Sequence, residues 1–172
     1  MDGAVQAIRG IEAHDLEFVE QPCRTLRELA EVRQRVSTPV AADESVRSLR
    51  DLRRALELEA CDVVNVKVAG AGGFRAAGEL LREAHSNGLG AFISSTLDGP
   101  WGIAAGLQLA AAEELTLACG LATLELFDSP LARALPSPRG GTLKVPSGPG
   151  LGVGIAEDAI EAVTVGRLEQ RH

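Results

Sequence analysis

The sequence predicts an α/β chain built as part of a (β/α) TIM-type barrel, and three observations carry that prediction. Short β-branched runs alternate with amphipathic helical stretches, the pattern of parallel strands joined by helical crossovers. The runs recur at a nearly constant pitch: Glu20, Asp43, Lys67, Ser95 and Gly120 are separated by 23, 24, 28 and 25 residues, close to one βα unit of a barrel at roughly 25 to 30 residues. Nearly every run also ends in a reactive or polar group. An open doubly wound sheet concentrates its ligand chemistry at one switch point, whereas a barrel gathers it from many strands onto one rim.

Taken in order, Gly3–His14 reads as a helix feeding the first strand, Leu16–Glu20. Leu26, Leu29, Val32 and Val36 share one helical face, and the strand Pro39–Asp43 follows. Leu49, Leu52 and Leu56 mark the next helix, opened by Ser48 with Asp51 three residues on, a pattern close to a capping box. The strand Val63–Lys67 comes next, then a helix stopped at Asn87-Gly88. Gly90–Ser94 is the fourth strand, Pro100 opens the helix carrying Ile103 and Leu107, and a weaker strand is expected near Leu115–Ala118. These units make up a barrel portion over residues 1–135. Beyond it, Pro136, Pro138, Gly140, Gly141, Pro146, Gly148, Pro149 and Gly150 form a loop-rich tail, residues 136–172, expected to pack outside the repeat and to carry a short helix around Ile155–Ala162. Five strands do not close an eight-stranded barrel, so earlier units are expected upstream of Met1.

Composition narrows the function classes. A chain of 172 residues, 45% hydrophobic and 24% charged, is long enough to bury one core. Its longest apolar stretch, Gly102 to Ala112, is interrupted by Gln108 and falls short of the roughly 20 residues of a membrane span. No membrane partner and a cytoplasmic location are expected. The net charge of −7, the pI near 5.0 and an aromatic content of 3% argue against a nucleic-acid partner, which needs a basic face and stacking platforms. Cys23, Cys61 and Cys119 lack the spacing of a zinc site or redox pair and read as reduced thiols. A small-molecule substrate fits best. A half-open barrel also exposes sheet edges, which points to a homo-oligomer.

The chemistry is carried by the strand ends. Glu20 and Asp43 each close a mostly apolar strand, where a carboxylate needs a partner or a cation; two converging carboxylates favour a hard divalent ion such as Mg2+. Either acid alone is equally well read as a loop cap or an arginine partner. Asn65 and Lys67 alternate with valines, so both face the barrel interior, and a lysine there is a candidate catalytic acid/base; solvated lysines at strand ends are the commoner case. Ser94-Ser95-Thr96, ahead of Asp98-Gly99-Pro100, offers hydroxyls and backbone N–H groups as a carboxylate cradle, or serves as an ordinary turn and cap. Gly70-Ala71-Gly72-Gly73-Phe74-Arg75 fails the dinucleotide fingerprint because Arg75 stands where the third glycine belongs. His14, His85 and His172 fall on expected helices or the tail.

Phe18-Val19-Glu20-Gln21-Pro22, Ala42-Asp43-Glu44-Ser45 and Val64-Asn65-Val66-Lys67 resemble the strand ends of the enolase superfamily, in its muconate-lactonizing subgroup. Within that subgroup, Glu20-Gln21-Pro22-Cys23, Ser94-Ser95-Thr96-Leu97 and Ala118-Cys119-Gly120-Leu121 look most like the o-succinylbenzoate synthases of menaquinone biosynthesis, over about Gly3 to Gly152. The resemblance implies the later strand–helix units of the superfamily barrel. It makes Glu20 and Asp43 two of three magnesium ligands and Lys67 the sixth-strand lysine facing an enediolate. Ser94 and Ser95 would hold a succinyl carboxylate, with Gly120 near the last strand's end. The reaction it implies is syn-dehydration of 2-succinyl-6-hydroxy-2,4-cyclohexadiene-1-carboxylate to 2-succinylbenzoate. The family's K-x-K base, its third-strand Asp ligand and its N-terminal capping domain are expected before residue 1, so the chain alone is expected to be inactive. Two alternatives accompany this: an N-acylamino acid racemase or dipeptide epimerase on the same barrel, and a non-catalytic remnant acting as a binding or assembly module.

Overall fold

The computed structural model describes residues 1–135, 137–154 and 156–168. Helix α1 (Asp2–Ile11) and a 3-10 turn lead into strand β1 (Val19–Glu20). Three further units follow: α2 (Leu26–Arg33) and β2 (Val40–Ala42), α3 (Leu49–Glu57) and β3 (Val63–Val66), α4 (Phe74–Ser86) and β4 (Gly90–Ile93), before α5 (Pro100–Ala112) and, after a long irregular stretch, α6 (Glu157–Val163). The strands pair in parallel in the order β1-β2-β3-β4, each beside its successor. A doubly wound sheet reverses its strand order partway along; this one does not, as in consecutive units of a barrel.

Strand alternation separates two faces. Val40, Ala42, Val64, Val66 and Ile93 are at most 2% exposed and join Leu29, Leu52, Leu81 and Ile103 from the helices in the main core. The opposite face carries a second, smaller cluster of Ala41, Val63 and Phe92, flanked by Phe18, Leu117 and Cys119, to which no helix contributes. Phe18 stacks on Phe92 with ring centroids 5.2 Å apart. Helices α1 to α5 therefore lie on one side of the sheet, and the small cluster is the interior layer of the barrel portion.

Local signals explain the helix ends. Thr25 caps α2 in a complete capping box with Glu28, and the Ser48 hydroxyl accepts from the Asp51 N–H at the start of α3. Asn87 ends α4, with Gly88 at φ 77° in the left-handed region that favours glycine, and Pro100 stands at the first turn of α5. Gly106 lets α5 approach closely, since a Cβ there would sit 2.7 Å from a Leu121 methyl.

The first four expected strands are each trimmed by one to three residues at their ends. The expected strand near Leu115–Ala118 does not form. Parallel pairing to β4 occurs instead at a single bridge between Ser94 and Gly120, where the Gly120 N–H donates to Ile93 O at 2.9 Å. In the tail, Leu143, Leu151 and Val153 pack on the main core and the Gln108 amide donates to Pro146 O at 2.6 Å. The expected helix around Ile155–Ala162 forms as α6; its first expected residue, Ile155, lies outside the described residues.

Cys61 is 4% exposed just ahead of β3, and burial pushes its thiol up to about 11. A raised thiol holds less thiolate at pH 8, so iodoacetamide is expected to label Cys61 at least about 100-fold more slowly in the folded chain than in urea. The half-buried Cys23 and Cys119 should be labelled first in peptide mapping. Equal rates for all three would contradict the burial of Cys61 in the main core.

Candidate active site at the strand ends

The interior face changes from apolar to polar along each strand. Val63, then Asn65, then Lys67 climb one face of β3 and its exit; Ala41 is followed by Asp43, Phe18 by Glu20 and Phe92 by Ser94. Four carbonyl-side strand ends thus place a polar layer directly above the apolar layer Ala41, Val63 and Phe92.

Within that layer Lys67 Nζ is paired with the Asp43 carboxylate, their side chains 23% and 19% exposed. Glu20 is the more open acid, because β1 is the edge strand; its Oε1 accepts from Asn65 Nδ2 at 2.6 Å. Asn65, 3% exposed, uses its other side to accept from the Ser94 hydroxyl at 2.8 Å. Glu20, Asn65 and Ser94 therefore form one chain of hydrogen bonds across β1, β3 and β4.

The loops are held by Gln21. Its backbone stands at φ 40°, in the left-handed region that costs a side-chain-bearing residue about 1 kcal/mol. The turn directs its amide across to the end of β2, where Oε1 accepts from the Asp43 N–H at 2.8 Å and Nε2 donates to Ser45 Oγ at 2.6 Å and to Cys23 O at 2.7 Å. One side chain thereby ties the segment after Glu20 to the segment carrying Asp43.

Asp43, Asn65 and Lys67 line a cleft of about 420 Å³ with Glu44, Arg47 and Thr96. Glu20, Ser94, Ser95 and Gly120 are not among its walls; Glu20 stands on the edge strand β1 and the other three at the far, β4 end of the sheet. The backbone half of the expected carboxylate cradle is also absent: the N–H groups of Ser94, Ser95 and Thr96 donate to Val66 O, Gly120 O and Asp98 Oδ2. Sheet pairing consumes the first two donors. Ser95 Oγ lies 2.7 Å from Thr123 Oγ1. Gly120 has a packing reason to be glycine, since a Cβ there would come 2.9 Å from Ser94 Cβ.

Asn65, Gln21 and Thr123 belong to this network although none of them is expected from the sequence to carry chemistry. Asn65 had a legible signal, an amide at an inward position between valines; Gln21 and Thr123 act through a turn and a loop that carry none. In donor chemistry, two carboxylates on adjacent strands suit a hard divalent ion. In number they fall short: among the described residues no group of three His, Cys, Asp or Glu side chains is gathered to hold a metal.

A family model described as enolase C-terminal domain-like matches residues 1–159. The o-succinylbenzoate synthase of Thermobifida fusca is 53% identical over 128 residues, covering 74% of this chain and 39% of the relative. That of Mycobacterium tuberculosis (strain H37Rv) is 48% identical over 118 residues, covering 68% and 35%. The chain thus spans well under half the length of these relatives. Among solved structures, a muconate cycloisomerase from Azorhizobium caulinodans superposes with a TM-score of 0.78 at 31% identity, over 93% of this chain and 46% of that one. The L-Ala-D/L-Glu epimerase from Bacillus subtilis gives 0.78 at 29% identity, over 87% and 43%. These likenesses agree with a partial TIM-type barrel.

Proposed function

We propose, since this chain belongs to the enolase C-terminal domain-like family, that it supplies the acid-ligand and second-lysine side of a carbon–oxygen lyase site. The reaction is dehydration of 2-succinyl-6-hydroxy-2,4-cyclohexadiene-1-carboxylate to 2-succinylbenzoate, a cytoplasmic step of menaquinone biosynthesis. The observation that carries this is the row of Glu20, Asp43, Asn65 and Lys67 on one interior face at three successive strand ends. The identity to proteins named o-succinylbenzoate synthase supports the choice of substrate. The barrel portion is residues 1–135, with residues 136–172 as a tail outside the repeat; the remaining ligand, the base that removes the proton and a capping domain belong to an upstream portion.

Glu20 and Asp43 would hold Mg2+. Bound there, the ion would supply positive charge beside a substrate carboxylate. Lys67 presents an ammonium with three donors; Asp43 takes one, leaving two for a substrate oxygen or for proton exchange at Nζ. Asn65 and Gln21 hold the two acids in place, and Ser94, Ser95 and Gly120 line the substrate side. Below them Ala41, Val63 and Phe92 keep water from the floor of the site.

A chimera tests this: the upstream portion of the Thermobifida fusca synthase joined to this chain at α1. With Mg2+ present it is expected to form 2-succinylbenzoate, followed by absorbance. A second reading, an amino-acid racemase or epimerase, is favoured by the 29% identity to the Bacillus subtilis epimerase. A folded chimera that exchanges the α-proton of an N-acylamino acid for deuterium but leaves the cyclohexadiene untouched would establish that reading instead. A chimera inert to both, alongside a 172-residue chain that melts cooperatively, would favour a binding or assembly module.

A further inference from the structure

Each hydrogen bond of the Glu20–Asn65–Ser94 chain has a direction, and chemistry fixes it. An ionised carboxylate has no proton to give, so the Asn65 group that meets Glu20 Oε1 at 2.6 Å is its NH2. The other side of the amide is then the carbonyl oxygen, which only accepts, so the 2.8 Å contact uses the single proton of the Ser94 hydroxyl. Asn65 itself is only 3% exposed, and turning its amide over would leave its buried oxygen facing the Glu20 carboxylate, acceptor to acceptor. We infer that Asn65 sets the polarity of the mouth: it fixes Glu20 through one oxygen and turns the Ser94 proton inward, so that Ser94 meets a ligand as an acceptor, opposite a hydroxyl, water or ammonium group.

The inference rests on the proposed lyase site and sharpens it. A substrate carboxylate needs donors, and Ser94 has none to spare. The Ser95–Thr123 hydroxyl pair differs: two hydroxyls 2.7 Å apart use one proton between them and keep the other. Of these three hydroxyls, only that pair can donate to a carboxylate, while Ser94 selects a donor such as a ring hydroxyl. Asn65 acts through Glu20 and Ser94 and is a positioning residue.

Solution NMR on the isotope-labelled 172-residue chain, with Mn2+ alone as the metal probe, decides the matter. The Asn65 side-chain NH2 is expected to show NOEs to the Glu20 γ-methylene and none to the Ser94 β-methylene; the reverse pattern overturns the polarity. Removing a group that orients a metal ligand costs roughly 10- to 100-fold in affinity. In Asn65→Leu the Mn2+ concentration that half-broadens the Glu20 signals should therefore rise at least about tenfold, with the amide spectrum otherwise retained. An unchanged half-broadening concentration overturns the positioning role. Should Asn65→Leu unfold, Ser94→Ala at its half-buried position serves in its place, with a smaller rise expected and no rise counting against. If Mn2+ leaves Glu20 unbroadened in the unsubstituted chain, the ligand role of Glu20 fails and the positioning role with it, and the NOE pattern still decides the polarity of Ser94.

Discussion

Lys67→Ala in the chimeric enzyme is expected to lower kcat for dehydration by about 10²- to 10⁴-fold, the usual contribution of a positioned proton-transfer group. The fold should survive. Lys67 and Asp43 are 23% and 19% exposed, and a pair that water reaches contributes about 1 kcal/mol or less, so the melting temperature should fall by only a few degrees. Lys67→Arg separates two roles. A guanidinium keeps the charge beside Asp43 but holds its protons at any pH a protein tolerates. If Lys67 exchanges a proton, arginine is as poor as alanine; recovery to within tenfold of the unsubstituted chimera would reduce the role to charge alone. Steady-state kinetics on both variants, with thermal melts beside them, gives the answer.

Much of this site was legible because strand alternation is a strict period. Asn65 and Lys67 had to share a face with Val63, and they do. Pitch and apolar faces likewise located α2 to α5, since each helix buries one stripe on the sheet. What was not legible depended on contacts between elements. Gln21 enters the left-handed region although glutamine carries no preference for it; the amide bonds to Asp43, Ser45 and Cys23 that compensate become visible only when β1 and β2 are side by side. The fifth strand failed for a similar reason. Leu115–Ala118 has an alternating pattern, but a ladder also needs backbones to approach, and that happens at Gly120, where no side chain obstructs Ser94. At Ser94-Ser95-Thr96 only the backbone half of the expected cradle fails, because N–H groups that read as free in a loop are spent on Val66 O, Gly120 O and the Asp98 carboxylate.

Ile93→Ala is expected to destabilise the chain by about 3 to 4 kcal/mol, within the range of Ile→Ala changes at fully buried sites. Ile93 is 0% exposed on the helix side of β4, and the close approach of α5 leaves no slack around it: a Cβ at position 106 would already lie 3.4 Å from an Ile93 methyl. A cavity there cannot collapse without moving α5. Total stabilities of about 5 to 15 kcal/mol make such a loss a large fraction of the whole, so the urea midpoint should drop markedly at an unchanged slope. Val63→Ala, on the interior face, should cost much less. Only Ala41 and Phe92 share that face as buried apolar neighbours, so fewer packing contacts are lost with the two methyls. If the interior substitution proved the costlier, the core would lie between the sheet and a partner surface and not between the sheet and its helices. The Ile93 carbonyl accepts from Gly120 N–H, and Ser94 follows it directly. Ile93→Ala should therefore also loosen the Ser94–Asn65 contact, carrying a packing defect from the helix face of the sheet into the polar layer at its mouth.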